Sequence, residues 1–365
     1  MDQPDNENTE LSGSYSISDC EFLLKLVDVK PVSVEQKEHL LQSGTIHYSE
    51  IVSEEKPPSS KYIALFKVLT ERYADRLARE ILYLSQKIDG KKIGHITVVS
   101  LARAGTPIGV LINRALKSVY KRSSKHYSIS IIRDKGIDKE ALKYIASTGV
   151  SGASVIFVDG WTAKGVINSE LKASIKDWNS QNTYQFCSDL AVISDLSGTA
   201  ELIATNDDYA IPSGILNSTI SGLLSRTMQM PGEEGLHQCI IYRSLRNYDL
   251  SNWFVDEIQS RFETQLEKLD SIIEDKKIIN SADRKLFIDS LMIEYDVDNV
   301  NKIKPGVAEA TRVMLRRVPR LLIVNNTDNI DVQHLIELAQ ISSIPIVIRS
   351  DSPYSAVAII KNVFS

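Results

Sequence analysis

The chain has 365 residues, 43% of them apolar and 24% charged, an ordinary globular composition that argues for one large domain and a smaller one. Its net charge of −5 excludes a generally polycationic nucleic-acid binder, so any such contact has to come from a local basic patch. No apolar run reaches the ~20 residues of a membrane span, and the polar, acidic segment 1–10 gives no secretory signal. The expectation is a cytoplasmic protein with no membrane partner.

Residues 1–12 read as a disordered tail. Segment 59–88 places Tyr62, Leu65, Phe66, Leu69, Tyr73, Leu77, Ile81 and Leu84 on one stripe and predicts a long amphipathic helix. Strands are predicted at 95–101, 127–132, 155–158 and 189–193, and helices at 107–116, 139–147 and 166–178. Strands alternating with helices predict an α/β fold, a parallel sheet with helices on both faces. Ligands of such sheets bind beyond the carboxyl ends of the strands.

Segment 251–274 carries Phe254, Ile258, Phe262, Leu266, Leu269 and Ile273 at helical spacing, and 282–294 reads as a further helix with Ser281 as its N-cap. Together they predict a helical bridge over 251–299 between a main domain, 13–250, and a small α/β unit, 300–365. That unit is read as a helix at 307–317, a strand at 320–325, a helix at 332–341 capped by Asp331 and a strand at 344–349. The three cysteines, Cys20, Cys187 and Cys239, lie far apart without metal-ligand spacing and read as reduced thiols.

Four loops carry candidate chemistry. In the most informative, the apolar run Val155–Val158 stops at Asp159, and Gly160, Trp161, Thr162, Ala163, Lys164 and Gly165 lead into a helix start. The carboxylate suits ribose hydroxyls or a metal, while loop amides and the helix dipole suit phosphate. The loop is not a Walker A, since G-x-x-x-x-G-K-[ST] is absent. Trp161 is a stacking wall or a plug over the sheet edge. In the loop 100–109, Arg103 and Ala104 precede Gly105, read as permitting positive φ, Thr106 as N-cap and Pro107 at the first helical position. That arrangement suits pyrophosphate. Arg133 and Lys135, in 131–136, add positive charge where these loops converge. In the stretch 207–227, Asn217, Ser218, Thr219, Ser221 and Arg226 are able to hydrogen-bond a polar ligand or to cap helices and close turns. His47, beside Tyr48 and Glu50, is either functional or structural.

The loop at Asp159 resembles the phosphoribosyl-pyrophosphate motif of type I phosphoribosyltransferases, in which an apolar strand runs into two acids and a Thr/Gly-rich phosphate loop. Asp159 matches the first acid and Ala163-Lys164-Gly165 the phosphate loop, while Arg103-Ala-Gly-Thr106 looks like the pyrophosphate loop. More closely, residues 12–246 resemble a bacterial family found beside tellurite-resistance and stress genes. The carrying strings are Ser12-Gly-Ser-Tyr15, Phe22-Leu-Leu-Lys25, His47-Tyr-Ser-Glu50, Ser100-Leu-Ala-Arg-Ala-Gly-Thr-Pro-Ile-Gly109, His126-Tyr-Ser-Ile-Ser-Ile-Ile-Arg-Asp134, Phe157-Val-Asp-Gly-Trp161 and Leu216-Asn-Ser-Thr219. That family is described as phosphoribosyltransferase-like, and its N-terminal domain also carries the label cysteine protease StiP.

The resemblance implies an enzyme that binds phosphoribosyl pyrophosphate, or a related ribose phosphate, with Mg2+ and acts on a nucleobase-like acceptor as a transferase or related nucleosidase. Arg103, Gly105 and Thr106 would hold pyrophosphate, Asp159 ribose hydroxyls or the metal, and residues 162–165 the 5′-phosphate. Arg133 or Lys135 would cover the leaving group, and the 207–227 stretch would select the acceptor. Gly160 departs from the pattern by replacing the second acid. The protease label implies a cysteine nucleophile activated by a histidine, and His237 lies two residues from Cys239, on the same face of a strand. Segment 300–365 resembles a Pelota-type RNA-binding domain, with Gly306-Val-Ala-Glu-Ala-Thr311 at the Gly-x-x-Glu helix start and Ala308 in place of the usual Asn. Its local charge agrees: Lys302, Lys304, Arg312, Arg316, Arg317 and Arg320 face only Glu309. Lys304, Gly306, Glu309, Arg312 and Arg316 are therefore the expected RNA contacts. A non-catalytic, nucleotide-sensing RNA-binding regulator is a third possibility, and a homo-oligomer is compatible with all three.

Overall fold

Continuous β-branched and aliphatic runs build the centre of the molecule, which a computed structural model describes over residues 11–33, 36, 40, 46–52, 55–216, 221–269 and 281–361. The strands are β1 (Glu21–Leu23), β2 (Lys25–Leu26), β3 (Ile96–Ala102), β4 (Ser124–Ile132), β5 (Gly136–Ile137), β6 (Val155–Thr162), β7 (Leu190–Asp195), β8 (Leu202–Thr205) and β9 (Gln238–Cys239). The main sheet runs β1-β4-β3-β6-β7-β8 with every neighbouring pair parallel, and β5 folds back antiparallel on β4. A parallel sheet has to be covered on both faces, which is why its strands read as unbroken apolar runs rather than alternations.

Helices α1 (Ser60–Lys91) and α2 (Thr106–Ser118) cover one face, and α3 (Lys139–Ser147) and α4 (Val166–Gln181) the other. Helix α1 starts at Ser59, whose side chain accepts from the Tyr62 N–H, and buries Phe66, Leu69, Leu77, Ile81, Leu84 and Ile88. On the opposite face Leu142, Ile145, Leu171, Ile175 and Trp178 close over Val99, Phe157 and Val192.

Two expectations change here. Strand β6 does not stop at Val158 but continues through Asp159, Gly160 and Trp161 to Thr162, because its parallel ladder with β7 persists to Trp161↔Ser194 and Thr162↔Asp195. The stretch expected as one helix over 251–274 is broken into α5 (Pro212–Leu216)'s successors α6 (Ser251–Gln259) and α7 (Phe262–Leu266), and residues 270–280 lie outside the described residues. Phe254, Ile258 and Phe262 pack into the same core as α1.

The C-terminal unit comprises α8 (Ser281–Glu294), β10 (Ile303–Pro305), α9 (Val307–Arg316), β11 (Pro319–Val324), α10 (Gln333–Ile341), β12 (Ile346–Ile348) and β13 (Ala356–Ile360). Its sheet runs β10-β13-β11-β12, with β13 antiparallel to both neighbours and β11 parallel to β12. Ser281 is the first helical residue of α8 rather than a cap outside it. A 3-10 turn, Ile330–Val332, precedes α10 and is capped by Asn329; Asp331 instead accepts from the Tyr73 hydroxyl of α1. Val307, Ala310, Val313, Leu322, Val324, Leu335 and Ala356 join the α1 face in one continuous hydrophobic cluster. No helix among the described residues is long and apolar enough to cross a membrane.

Candidate ligand-binding site

Strands β3, β4 and β6 end side by side at Ala102, Ile132 and Thr162, and the candidate residues gather at this carboxyl edge. Gly105 has φ −74, so it is not there for a left-handed turn. A Cβ on it would lie 2.4 Å from the Val158 carbonyl oxygen and 3.0 Å from Asp159 Cα, so glycine is required by the close approach of this turn to β6. Thr106 is the first residue of α2 and not its N-cap; that position is held by Gly105. The Thr106 hydroxyl is buried and shared with Ser128 Oγ at 2.8 Å. Arg103 is buried as well: it donates to the Leu224 carbonyl at 2.6 Å and pairs with Glu55 at 3.5 Å. Burial lowers its pKa, and Glu55 opposes that. The backbone oxygen of Ala104 lies beside Gly160.

Asp159 accepts from the Gly160 N–H at 2.8 Å. Burial pushes its carboxyl up to about 7, against the pull of that N–H and of Arg312, with Glu309 adding to the rise. Gly160 has room for a Cβ, since the nearest atoms to one would be Ala104 O at 3.6 Å and Ser213 Oγ at 3.8 Å. The Thr162 hydroxyl accepts from the Gly165 N–H at 3.2 Å. Gly165 sits at φ +73, with Thr199 Cγ2 2.9 Å from where a Cβ would stand, so only glycine starts α4 here. Beyond the half-buried Ala163, Lys164 donates to the carbonyls of Val300 at 3.1 Å and Ile303 at 3.3 Å. Burial, with Lys304 and Arg133 nearby, pushes its amine down to about 8.

The strap 46–52 closes one side. The Arg133 N–H donates to the Tyr48 hydroxyl at 2.6 Å, and Lys135 pairs with Glu50 at 3.0 Å. Arg226 donates to the carbonyls of Tyr48 and Ile51 and stands 5.4 Å from the centre of the Tyr48 ring. Burial lowers its pKa to about 10, partly opposed by Tyr48 and Tyr242. His47 caps the turn Tyr48–Glu50 and bonds Ser49 Oγ at 2.7 Å, a structural task. Asn217, Ser218 and Thr219 lie outside the described residues, and Ser221 is buried.

The C-terminal unit closes the other side. Asp208 accepts from the Val307 N–H at 2.7 Å and the Ser355 N–H at 2.8 Å, so a carboxylate of the main unit caps α9 beside Gly306. Burial pushes the Asp208 carboxyl up to about 6 against those bonds. Arg312 pairs with Glu309 at 2.7 Å and stands 5.8 Å from the centre of the Trp161 ring. Arg316 pairs with Glu55, and Arg133 donates to Asn301 Oδ1 at 3.0 Å. Trp161 is wedged beside Gly214, whose Cβ position would be 3.3 Å from the indole and 3.2 Å from Ala308 Cβ. The residues selected as RNA contacts are thus brought against the loops selected for ribose phosphate. Glu55, Asp208, Ser213 and Asn301 were missed as site residues. Asp208 and Ser213 lay in the 207–227 stretch singled out from sequence, and no local pattern marks Glu55 or Asn301.

The cysteines are not assembled for catalysis in the same way. Cys20 and Cys239 are buried, and desolvation pushes both thiols up, that of Cys239 to about 12. His237 Nδ1 bonds Ser130 Oγ at 2.8 Å, and no thiol–imidazole hydrogen bond occurs among the described residues. Cys187 is half-buried and precedes β7, at the opposite edge of the sheet from Asp159. The carboxyls at this edge are Asp159 and Glu309, with Arg312 near both, and among the described residues no group of three or more His, Cys, Asp or Glu side chains is placed to hold a metal ion.

A family model described as tellurite-like stress resistance cysteine protease StiP matches residues 13–259, and a PELOTA RNA-binding domain matches residues 283–362. The chain is 38% identical over 367 residues to a protein of Acinetobacter baylyi named cysteine protease StiP, covering 96% of this chain and 94% of that one. Among solved structures, a glutamine mutant from an analysis of an invariant aspartic acid in HPRTs aligns with 47% of this chain and 92% of its own, at 10% identity and TM-score 0.28. A mutant hypoxanthine phosphoribosyltransferase from Trypanosoma cruzi, complexed with the product IMP, aligns with 57% of this chain and 91% of its own, at 11% identity and TM-score 0.27. Scores this low carry no argument about activity. The match over 13–259 and the near full-length relative establish that the chain belongs to the StiP family of tellurite-like stress resistance proteins, with a C-terminal PELOTA domain.

Proposed function

We propose that the chain is an enzyme that binds a phosphorylated ribose-type ligand at the carboxyl edge of its parallel sheet. One observation carries this: Asp159 ends its apolar run beside the glycine-started helix α4, with Arg312 near the carboxyl and Lys164, flanked by Arg133 and Lys304, in the loop that joins them. The loop amides of Ala163 and Lys164 and the α4 dipole suit a phosphate, and Asp159 suits a sugar diol. If the bond at the anomeric carbon breaks, positive charge grows on the sugar, and a carboxylate held beside it stabilises that charge. Glycosyl transfer to a base and hydrolysis of a nucleoside-type bond both fit. Titrating phosphoribosyl pyrophosphate into the protein tests the binding. The expected result is saturable heat that weakens roughly tenfold or more in Asp159→Asn, the scale of a lost charged hydrogen bond. No heat, or equal affinity in the variant, sinks the proposal.

The family description favours a second reading, a cysteine protease, and it comes from the relatives' name rather than from the thiol geometry. Cys187 is the cysteine with access to solvent, so cleavage of a casein substrate that persists in Cys187→Ser would point to opening of the buried Cys20 or Cys239. No cleavage by the wild type under reducing conditions would remove this reading. The description of the C-terminal domain makes RNA a further candidate partner.

A further inference from the structure

Four cationic side chains from four separate segments meet at the junction of the two units: Arg133 after β4, Lys164 after β6, Lys304 on β10 and Arg312 on α9. Arg312 pairs with Glu309 at 2.7 Å, Lys164 reaches the carbonyls of Val300 and Ile303, and Arg133 reaches Asn301. Desolvation would raise the Glu309 pKa, but Arg312, Lys304 and Lys164 hold it below the ordinary value, and Arg133 stands near both lysines. Glu309, with Asp159 near Arg312, leaves the four cations in excess, and gathering like charges is costly unless a further anion joins them. The crowding registers on the amines: burial and cationic neighbours lower both Lys164 and Lys304. The Nε–H groups of Arg133 and Arg312 are also buried, with no acceptor among the described residues. Buried donors are nearly always paired, so each of these points to an acceptor supplied from outside the chain.

We propose that Lys304 and Arg312 of the C-terminal unit join Arg133 and Lys164 to form a subsite for a small oligophosphate. The ribose-ligand reading supplies only the other half of the ligand; the subsite itself stands on the cation cluster. The start of α9 is capped by Asp208, Ala308 and Trp161 both lie against Gly214, and the two units share one apolar cluster, so the four cations are held at one spot. Convergence from both units favours a compact phosphate, while the Arg312 side chain, 32% exposed, keeps the spot open to solvent. Arg317 and Arg320 are exposed, Arg317 within electrostatic reach of Lys304.

Inorganic pyrophosphate is the probe, titrated into the full chain and followed by calorimetry and by thermal shift. Wild type is expected to bind it and melt higher, and Arg312→Gln and Lys304→Gln are expected to weaken binding roughly tenfold each, the scale of one charge-assisted contact. Their own melting temperatures without ligand report folding; should one variant fail to fold, the other carries the test. Absence of pyrophosphate binding by wild type, or equal binding by folded variants, overturns the proposal. So does a labelled stem-loop RNA that binds the full chain, is not displaced by pyrophosphate, and is lost in Arg312→Gln but not in Arg317→Gln/Arg320→Gln. Pyrophosphate binding without any gain from phosphoribosyl pyrophosphate would instead sink the ribose reading and leave the subsite standing.

Discussion

Asp159 combines a position that sequence discloses with a charge state that it does not. An apolar β-branched run that stops at an acid marks the end of a buried strand, and the carboxylate is there. Its pKa depends on burial beneath the C-terminal unit and on Arg312 and Glu309, about 150 residues further along, which no local pattern encodes. The consequence for stability follows from linkage. Unfolded, the carboxyl titrates near 3.8; folded, near 7. Below the lower value both states are protonated and the group is neutral towards stability. As pH rises from about 4 to about 7 the unfolded chain sheds the proton first, so the wild type loses stability across that window. Asp159→Asn keeps an acceptor for the Gly160 N–H and removes this loss. Its melting temperature is therefore expected to exceed that of wild type at pH 7 and to converge with it near pH 4. A gap that is constant with pH, or largest at pH 4, would show that the carboxyl is not held protonated.

Among the elements, the two glycines around Asp159 look alike in sequence and differ in the fold. Gly105 lies against the backbone of β6, with 2.4 Å between its Cβ position and the Val158 oxygen, and backbone cannot swing aside as a side chain does. Gly160 has more than 3.5 Å on every side. Gly105→Ala is accordingly expected to lower the free energy of unfolding by about 1–3 kcal/mol, the ordinary cost of overpacking. Gly160→Ala is expected to stay within about 0.5 kcal/mol. Urea unfolding of the two variants checks both, and the reverse ranking would refute the packing described for this edge. Periodicity found the long elements because each buries a continuous face: α1, α2 and α4 lie within three residues of their expected ends, and α3 coincides. It missed β1, β10 and β13 because three to five residues cannot establish a period. It also ended β6 early because a glycine after an acid reads as a turn, whereas the ladder to β7 carries the strand on. Thr106 was read as a cap for the same reason: its hydroxyl is the right group, and only the neighbouring Ser128 shows that it is already taken.

At the scale of the whole molecule, each unit has its own sheet and its own hydrophobic pattern, so the sequence presents the tail as a separate domain. The residues that join them, Tyr73, Trp161, Asp208, Gly214, Ala308 and Asp331, are scattered and follow no period, which is why the junction was not legible. It is nevertheless apolar at its centre: Tyr73, Ala74 and Leu77 of α1 share a cluster with Val307, Val313, Leu335 and Ala339. It is polar at its margins, where Asp208 caps α9 and the Tyr73 hydroxyl meets Asp331. An interface of that composition couples the stability of its two sides, unlike the wet, polar contacts that let domains move independently. Calorimetry of the full chain is expected to show one cooperative transition. A chain ending at residue 269 would leave the α1 face uncovered and Asp208 without the amides that oppose its burial. It is expected to melt at lower temperature and to bind a hydrophobic dye before heating. Two separate transitions in the full chain, one of them matching isolated residues 283–361, would show that the units fold apart and that the cation cluster between them is assembled only on docking.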